Sequence, residues 1–131
     1  MEIHDSMLTI QQVSDLTGMS VHTLRYYERI QLLTAIERAA NGHRRYHKRD
    51  MERLMFLNYM RLTGMPLTQL RQYSRLHDRG DEGIPDRIAM LQGHRAKVAG
   101  QIEELTDMLK VIDYKLSILS QQRTTEPEAV R

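Results

Sequence analysis

The residues whose types and spacing could do chemistry are Ser20-Val21-His22-Thr23-Leu24-Arg25-Tyr26-Tyr27-Glu28-Arg29. The chemistry they suit is hydrogen bonding to a polyanion, not bond making. Ser20 is a helix N-cap residue. Val21, His22 and Thr23 then present small or hydrogen-bonding side chains, and Arg25 and Tyr26 follow. Such a helix can point its first turn at base edges while later side chains hold phosphate oxygens. Tyr27 falls on the Leu24 face and is expected to pack inward.

An element must precede this helix to aim it. Thr9 with Gln12 three residues later reads as a capping box, and Leu8 with Val13 as a hydrophobic staple. Ile10, Val13 and Leu16 keep helical spacing until Gly18 stops the helix. Met19 and Leu24 repeat the staple around Ser20. Two short helices joined by Gly-Met-Ser fit a helix-turn-helix, and equally an ordinary αα-corner.

After the second helix runs out near residues 31–33, helical periodicity fails over residues 34–47. Asn41-Gly42 at its centre is a two-residue type I′ hairpin signal. Arg38 stands on one arm, and His43, Arg44, Arg45 and Tyr46 stand on the other. A hairpin this polar has little to bury and is expected to stand off the body as a basic wing, contacting phosphates or the minor groove. His43 and His47 suit a phosphate contact or a helix cap better than a metal. Further helices are expected over residues 48–63 and 67–77. The second carries a stripe of Leu67, Leu70, Tyr73 and Leu76, and methionines fill gaps in the core.

The last helix has the cleanest periodicity. Ile88, Leu91, Arg95, Val98, Ile102, Leu105, Leu109, Ile112, Leu116 and Leu119 alternate steps of three and four, an a/d heptad seam broken chemically only by Arg95. The other helices are too short to cover it, so it calls for a second copy of the chain. The flanking positions offer no oppositely charged pairs of the kind that favour a parallel zipper, and antiparallel pairing is permitted.

Composition agrees with a helical head on a long appendage. Residues 1–77 hold 11 Lys/Arg against 7 Asp/Glu, and residues 78–131 hold 8 against 10. A basic front and a mildly acidic back suit a polyanion-binding head. The absence of cysteine excludes disulfides, thiolate metal sites and thiol sensing. No nucleotide loop, activated nucleophile or carboxylate pair is visible, so neither an enzyme nor a cofactor is expected. No apolar run reaches the roughly 20 residues of a membrane span, and no signal-peptide pattern opens the chain, so a cytoplasmic location is expected.

Leu24-Arg25-Tyr26-Tyr27-Glu28, Leu32-Leu33, Arg38, the run Asn41 to Tyr46, Asp50, Leu54, Arg61 to Leu67, Gly80-Asp81 and the terminal seam occur in an order that resembles the MerR family of bacterial transcription regulators. Within it, the stretch between the fourth helix and the seam is most similar to the alcohol-dehydrogenase-regulator-like branch. The resemblance implies a mainly α fold, with a winged helix-turn-helix head (residues 7–77, wing 34–47) and a linker at 78–84. An antiparallel coiled-coil dimerisation helix (85–120) and a flexible tail (121–131) would follow. It implies that Arg25, Tyr26, Arg44 and Tyr46 contact DNA, with Ser20 to Thr23 as the base-facing turn. It also implies a homodimer, dimerised through the nine apolar seam residues from Ile88 to Leu119. Such a dimer would bend and untwist double-stranded promoter DNA, acting on RNA polymerase through that DNA. A small-molecule effector fits the resemblance, but the sequence does not identify one. Gln31, Ala35 and His43 depart from the glycine, proline and tyrosine common at those points. An architectural or excision-type DNA-bending protein without effector response is the alternative, and the long helix speaks against it.

Overall fold

The computed structural model describes residues 7–33 and 36–125. It divides into two compact units between Met90 and Leu91. In the first unit, helix α1 (Ile10–Thr17) begins at the expected capping box. Gln12 N donates to Thr9 Oγ1 (3.1 Å) and Thr9 N donates to Gln12 Oε1 (2.8 Å). Gly18 ends the helix at φ 78°, a left-handed position that suits glycine. Helix α2 (Val21–Arg29) starts where Thr23 N donates to Ser20 Oγ at 3.0 Å.

The exit from α2 is a Schellman turn. Leu32 N donates to Tyr27 O (2.9 Å) and Gln31 N donates to Glu28 O (3.0 Å). The left-handed position, φ 68°, is filled by Gln31, where a side chain is strained. The departure at Gln31 noted in the sequence therefore falls where glycine has most to offer. Ala35 lies outside the described residues.

The wing consists of β1 (Glu37–Arg38) and β2 (Arg44–Arg45), antiparallel, with Glu37 opposite Arg45 and Arg38 opposite Arg44. Its turn differs from the expected type I′. Gly42 N donates to Ala39 O (2.9 Å), Ala39 N donates to His43 O (2.8 Å), and only Gly42 has positive φ (86°). Type I′ needs positive φ at two residues. Here a type I turn followed by a left-handed Gly42 makes a three-residue loop with a glycine bulge. The base of the wing is tied to the body: Leu8 N donates to Tyr46 O (2.7 Å) and Tyr46 N to Leu8 O (2.8 Å).

Helix α3 (Lys48–Leu62) is capped at His47, whose N–H donates to Asp50 Oδ2 at 2.8 Å. Helix α4 (Leu67–Asp78) follows. Val13, Leu24, Tyr27, Leu32, Leu33, Tyr46, Leu54, Leu57, Met65 and Leu70 are each at most 3% exposed and form the core. Full burial of such side chains contributes about 1.5–3 kcal/mol each before the entropy of ordering them is counted. Leu16 and Leu67, assigned to apolar stripes, lie exposed.

The expected linker is not extended chain. Residues Gly80–Gly83 form a 3-10 turn that passes directly into α5 (Ile84–Thr125). The helix also runs beyond residue 120, into the stretch expected to be a flexible tail. Gln121, Gln122 and Arg123 are good helix formers, and Thr124 Oγ1 donates back to Gln121 O at 3.0 Å. Residues 126–131 lie outside the described residues. Along α5, Ile88, Ile102, Leu105, Leu109, Ile112, Leu116 and Leu119 are each more than half exposed, while Leu91 and Val98 are half-buried.

Candidate nucleic-acid interface

Two helix N-termini and the wing build the site. Neither α1 nor α2 has an acidic residue in its first turn, so both present unopposed positive dipole ends. Leu24 and Tyr27 anchor α2 in the core, which turns the intervening Arg25 and Tyr26 outward. Tyr27 packs inward as expected, and its hydroxyl donates to Asn58 Oδ1 at 3.3 Å. The Arg29 guanidinium lies 5.5 Å from the centroid of the Tyr26 ring, a cation–π contact, and the Tyr27 ring lies 6.2 Å away, so the exposed tyrosine is held from two sides. Of the first-turn residues, Ser20 and His22 are exposed, and Val21 and Thr23 are half-buried.

Glu28, one turn beyond Arg25 on α2, receives the wing. Its Oε1 accepts from Arg44 Nε, and Arg38 Nη2 lies 3.5 Å from its Oε2. Arg38 Nη1 also donates to Gly42 O (3.0 Å), and Asn41 Oδ1 accepts from His43 N (3.0 Å), so the tip is braced from both arms. At the wing's base, His47 Nε2 lies 2.9 Å from Glu37 Oε2. His47 is thus a helix cap with an acidic partner.

These elements enclose a cleft of about 250 Å³ lined by Thr9, Ile10, Gln11, Arg25, Gly42, His43, Arg44 and Arg45. Five residues singled out from the sequence, Arg25 and Gly42 to Arg45, meet there. Three arginines, one of them paired to Glu28, the first turn of α1 and a glycine that leaves the backbone accessible give it a chemistry suited to anionic oxygens. Among the described residues no three His, Cys, Asp or Glu side chains group as metal ligands.

Tyr46 is the exception. It was expected to offer its hydroxyl to DNA from the wing, but its side chain is wholly buried. Pairing with Leu8 turns that end of the strand into the core, and among the described residues the buried hydroxyl has no hydrogen-bond partner. Burial first, then the nearby Glu28 carboxylate, pushes its pKa up to about 12. Sequence reasoning missed Glu28 as the wing's anchor, since its partners lie up to 16 residues away across an irregular segment. A carboxylate inside an otherwise cationic stretch was the available signal.

A capped helix pair flanked by a basic hairpin, with a cationic cleft between them, defines a winged helix-turn-helix DNA-binding protein. Residues 9–46 match the family described as MerR family regulatory protein, and residues 51–114 match that described as MerR, DNA binding. The chain belongs to the MerR family and is a DNA-binding transcriptional regulator, not an enzyme. It is 30% identical to an uncharacterized HTH-type transcriptional regulator of Haemophilus influenzae, over 83% of this chain and 81% of the relative. The HTH-type transcriptional regulator HmrR of Rhizobium leguminosarum is also 30% identical, with 82% of each chain covered. Among solved structures, HiNmlR, a MerR family regulator lacking the sensor domain and bound to promoter DNA, superposes with a TM-score of 0.82. Identity to it is 26%, with 95% of this chain and 99% of that one covered. A MerR family regulator from Bacillus thuringiensis gives 0.78 at 25% identity, covering 85% and 97%.

Proposed function

We propose that the chain acts as a homodimer, joined through α5, that binds a pseudo-palindrome in a promoter spacer and bends and untwists it for RNA polymerase. The observation that carries this reading is the seam on α5, where seven of ten a/d positions are more than half exposed in the single chain. A narrow apolar stripe on a 42-residue helix is stable in water only when covered, and a second copy covers it in register. The head through residue 77 is the DNA-binding part. Ser20, Val21, His22 and Thr23 read bases, while Arg25, Tyr26, Arg38, Asn41, Gly42, His43, Arg44 and Arg45 hold the backbone. Tyr46 supports the wing from within. Distorting the spacer costs several kcal/mol, which phosphate contacts from two heads must offset. The protein would work in the cytoplasm: among the described residues no helix is long and apolar enough to cross a membrane. The α5 helix favours this over an architectural DNA-bending protein, which has no need of so long a seam.

Footprinting on the chain's own upstream region, with DNA bending measured on permuted fragments, tests the reading. Protection of a promoter spacer with a bend at its centre is expected, and protection away from any promoter would overturn it. Sedimentation should give a dimer that Leu109→Glu with Ile112→Glu converts to monomer; a wild-type monomer would refute the seam.

A further inference from the structure

The carbonyls just past the recognition helix are gripped from outside. Arg71 Nε on α4 donates to Ile30 O at 3.1 Å, and Ser74 Oγ, three residues on, donates to Leu32 O at 2.7 Å. These two carbonyls flank Gln31, the strained left-handed residue. Ser74 is 1% exposed, and a buried serine needs a reason to be there. Its hydroxyl accepts from Arg53 Nη2, which also donates to Ser74 O at 3.0 Å. Arg53 Nη1 reaches Asp78 Oδ1 at 3.1 Å. Asp78 is the last residue of α4, where the helix dipole disfavours a carboxylate, and the Arg53 guanidinium offsets part of that cost. Four groups on three elements therefore form one line: Asp78, Arg53, Ser74, Leu32 carbonyl.

We propose that Asp78, Arg53 and Ser74 are positioning residues that set the exit of the recognition helix, and hence its DNA affinity, without touching DNA. The inference rests on the DNA-binding reading for its affinity readout only. Arg53 is the hinge of the arrangement. Its fork is shared between an exposed carboxylate at the start of the Asp78–Gly83 connection and a buried hydroxyl under Leu32. When the connection shifts, the guanidinium follows Asp78, the Ser74 hydroxyl loses its donor, and the Leu32 carbonyl loses its fixed partner. Because Leu32 N bonds back to Tyr27 O, movement at Leu32 is passed to the last turn of α2. Arg71 holds Ile30 independently, so the relay tilts the helix end rather than releasing it.

The test uses the full chain with Asp78→Asn, Ser74→Ala and the double variant. Asp78 is about two-fifths exposed, so its substitution spares the core. Asp78→Asn is expected to keep its thermal midpoint, to shift the amide resonances of Leu32 and Leu33 in the free protein, and to lose promoter affinity about tenfold. The double variant should lose no more affinity than Ser74→Ala alone, whereas adding the wing substitution Arg44→Ala to Asp78→Asn should give the full product of the two losses. Ser74→Thr, which keeps the hydroxyl, should restore the Leu32 resonance. Should Ser74→Ala fail to fold, Arg53→Lys replaces it in the cycle, with the same non-additivity expected. Unchanged Leu32 and Leu33 resonances in Asp78→Asn, or full additivity of Asp78→Asn with Ser74→Ala, would overturn the relay. If the wild-type protein bound no promoter DNA the functional reading would fail, while the resonance shifts would still decide the relay.

Discussion

Glu28 on the recognition helix and Arg44 on the wing are joined by an ion pair in which each side chain is about one-fifth exposed. Helix α2 and the wing are therefore docked to each other in the free chain. Glu28 lowers the positive charge of the surface and in exchange fixes its shape. Glu28→Gln should weaken specific promoter binding about tenfold through a loosened wing. It should also steepen the dependence of non-specific binding on log salt by about 0.9, one phosphate's worth. Paired salt titrations on promoter and random DNA check this, and unchanged specific affinity would refute it.

Gln31 sits at φ 68° in the Schellman turn after α2. Replacing it with glycine removes left-handed strain and adds freedom to the unfolded chain, two opposed effects of which the strain is the larger. Because a Cβ at this position costs about 1–2 kcal/mol, Gln31→Gly should stabilise by about 0.5–1 kcal/mol. Urea unfolding should show a higher midpoint with the same slope. A lower midpoint would mean the side chain makes a contact worth more than the strain.

Gly83 has no room for a side chain. A Cβ there would lie 2.0 Å from Leu76 O and 2.8 Å from Leu76 C, both backbone atoms of α4. Gly83→Ala should therefore destabilise by about 2 kcal/mol or more, because the connection must move off α4. Gly100, within α5, has nothing within 4 Å of a built Cβ. Gly100→Ala should stabilise by up to about 1 kcal/mol through helix propensity alone. Thermal unfolding of the pair separates close approach from conformational freedom; similar shifts for both would sink the distinction.

The buried, unpartnered hydroxyl of Tyr46 gives a test of its corrected role. Tyr46→Phe should leave promoter affinity unchanged and raise stability by about 1 kcal/mol, since a buried donor without a partner is a cost. The pH dependence follows from a folded pKa of about 12 against the ordinary 10.0. The neutral phenol's contribution is fully present below pH 10 and is lost as pH rises towards 12. That alkaline loss should shrink in the phenylalanine variant, as unfolding across this range would show. A drop in promoter affinity would return Tyr46 to the interface.

His77 titrates the other way. Burial first, then the Arg53 and Arg87 guanidinium groups, lowers its pKa from 6.5, with Asp78 opposing. The folded head prefers neutral imidazole, so stability is full above pH 6.5 and falls as pH drops through and below that value. His77→Gln should flatten this part of the stability–pH curve, and an unaltered slope would assign the effect to another group.

The punctuation of the head was legible because it is local chemistry. Thr9 with Gln12, Ser20 and Gly18 each act on neighbours within a few residues, and the structure places helix ends at all of them. The long helix α5 and its exposed apolar stripe were legible for the same reason, the pattern being periodic over a single uninterrupted helix. What could not be read depends on distance. Nothing near Tyr46 reveals that Leu8 will pair with it and turn its ring inward. Glu28 gains its meaning only when the wing folds back on α2. Gly83 looked like linker composition, yet its role is set by the Leu76 carbonyl of a packed helix. The turn at Asn41-Gly42 was placed correctly and typed wrongly, because Ala39 and His43 close the hairpin one residue wider than the dipeptide suggests.

The short wing also bears on how the protein stays apart from its neighbours. Leu8 covers part of one side of the hairpin, while among the described residues β1 forms the open edge, and it is only Glu37 and Arg38, both exposed and oppositely charged. An unpaired edge invites another strand to add on, and shortness with charge is what discourages it. Molecules gathered on adjacent DNA sites can thus crowd wing to wing without their hairpins fusing into a growing sheet.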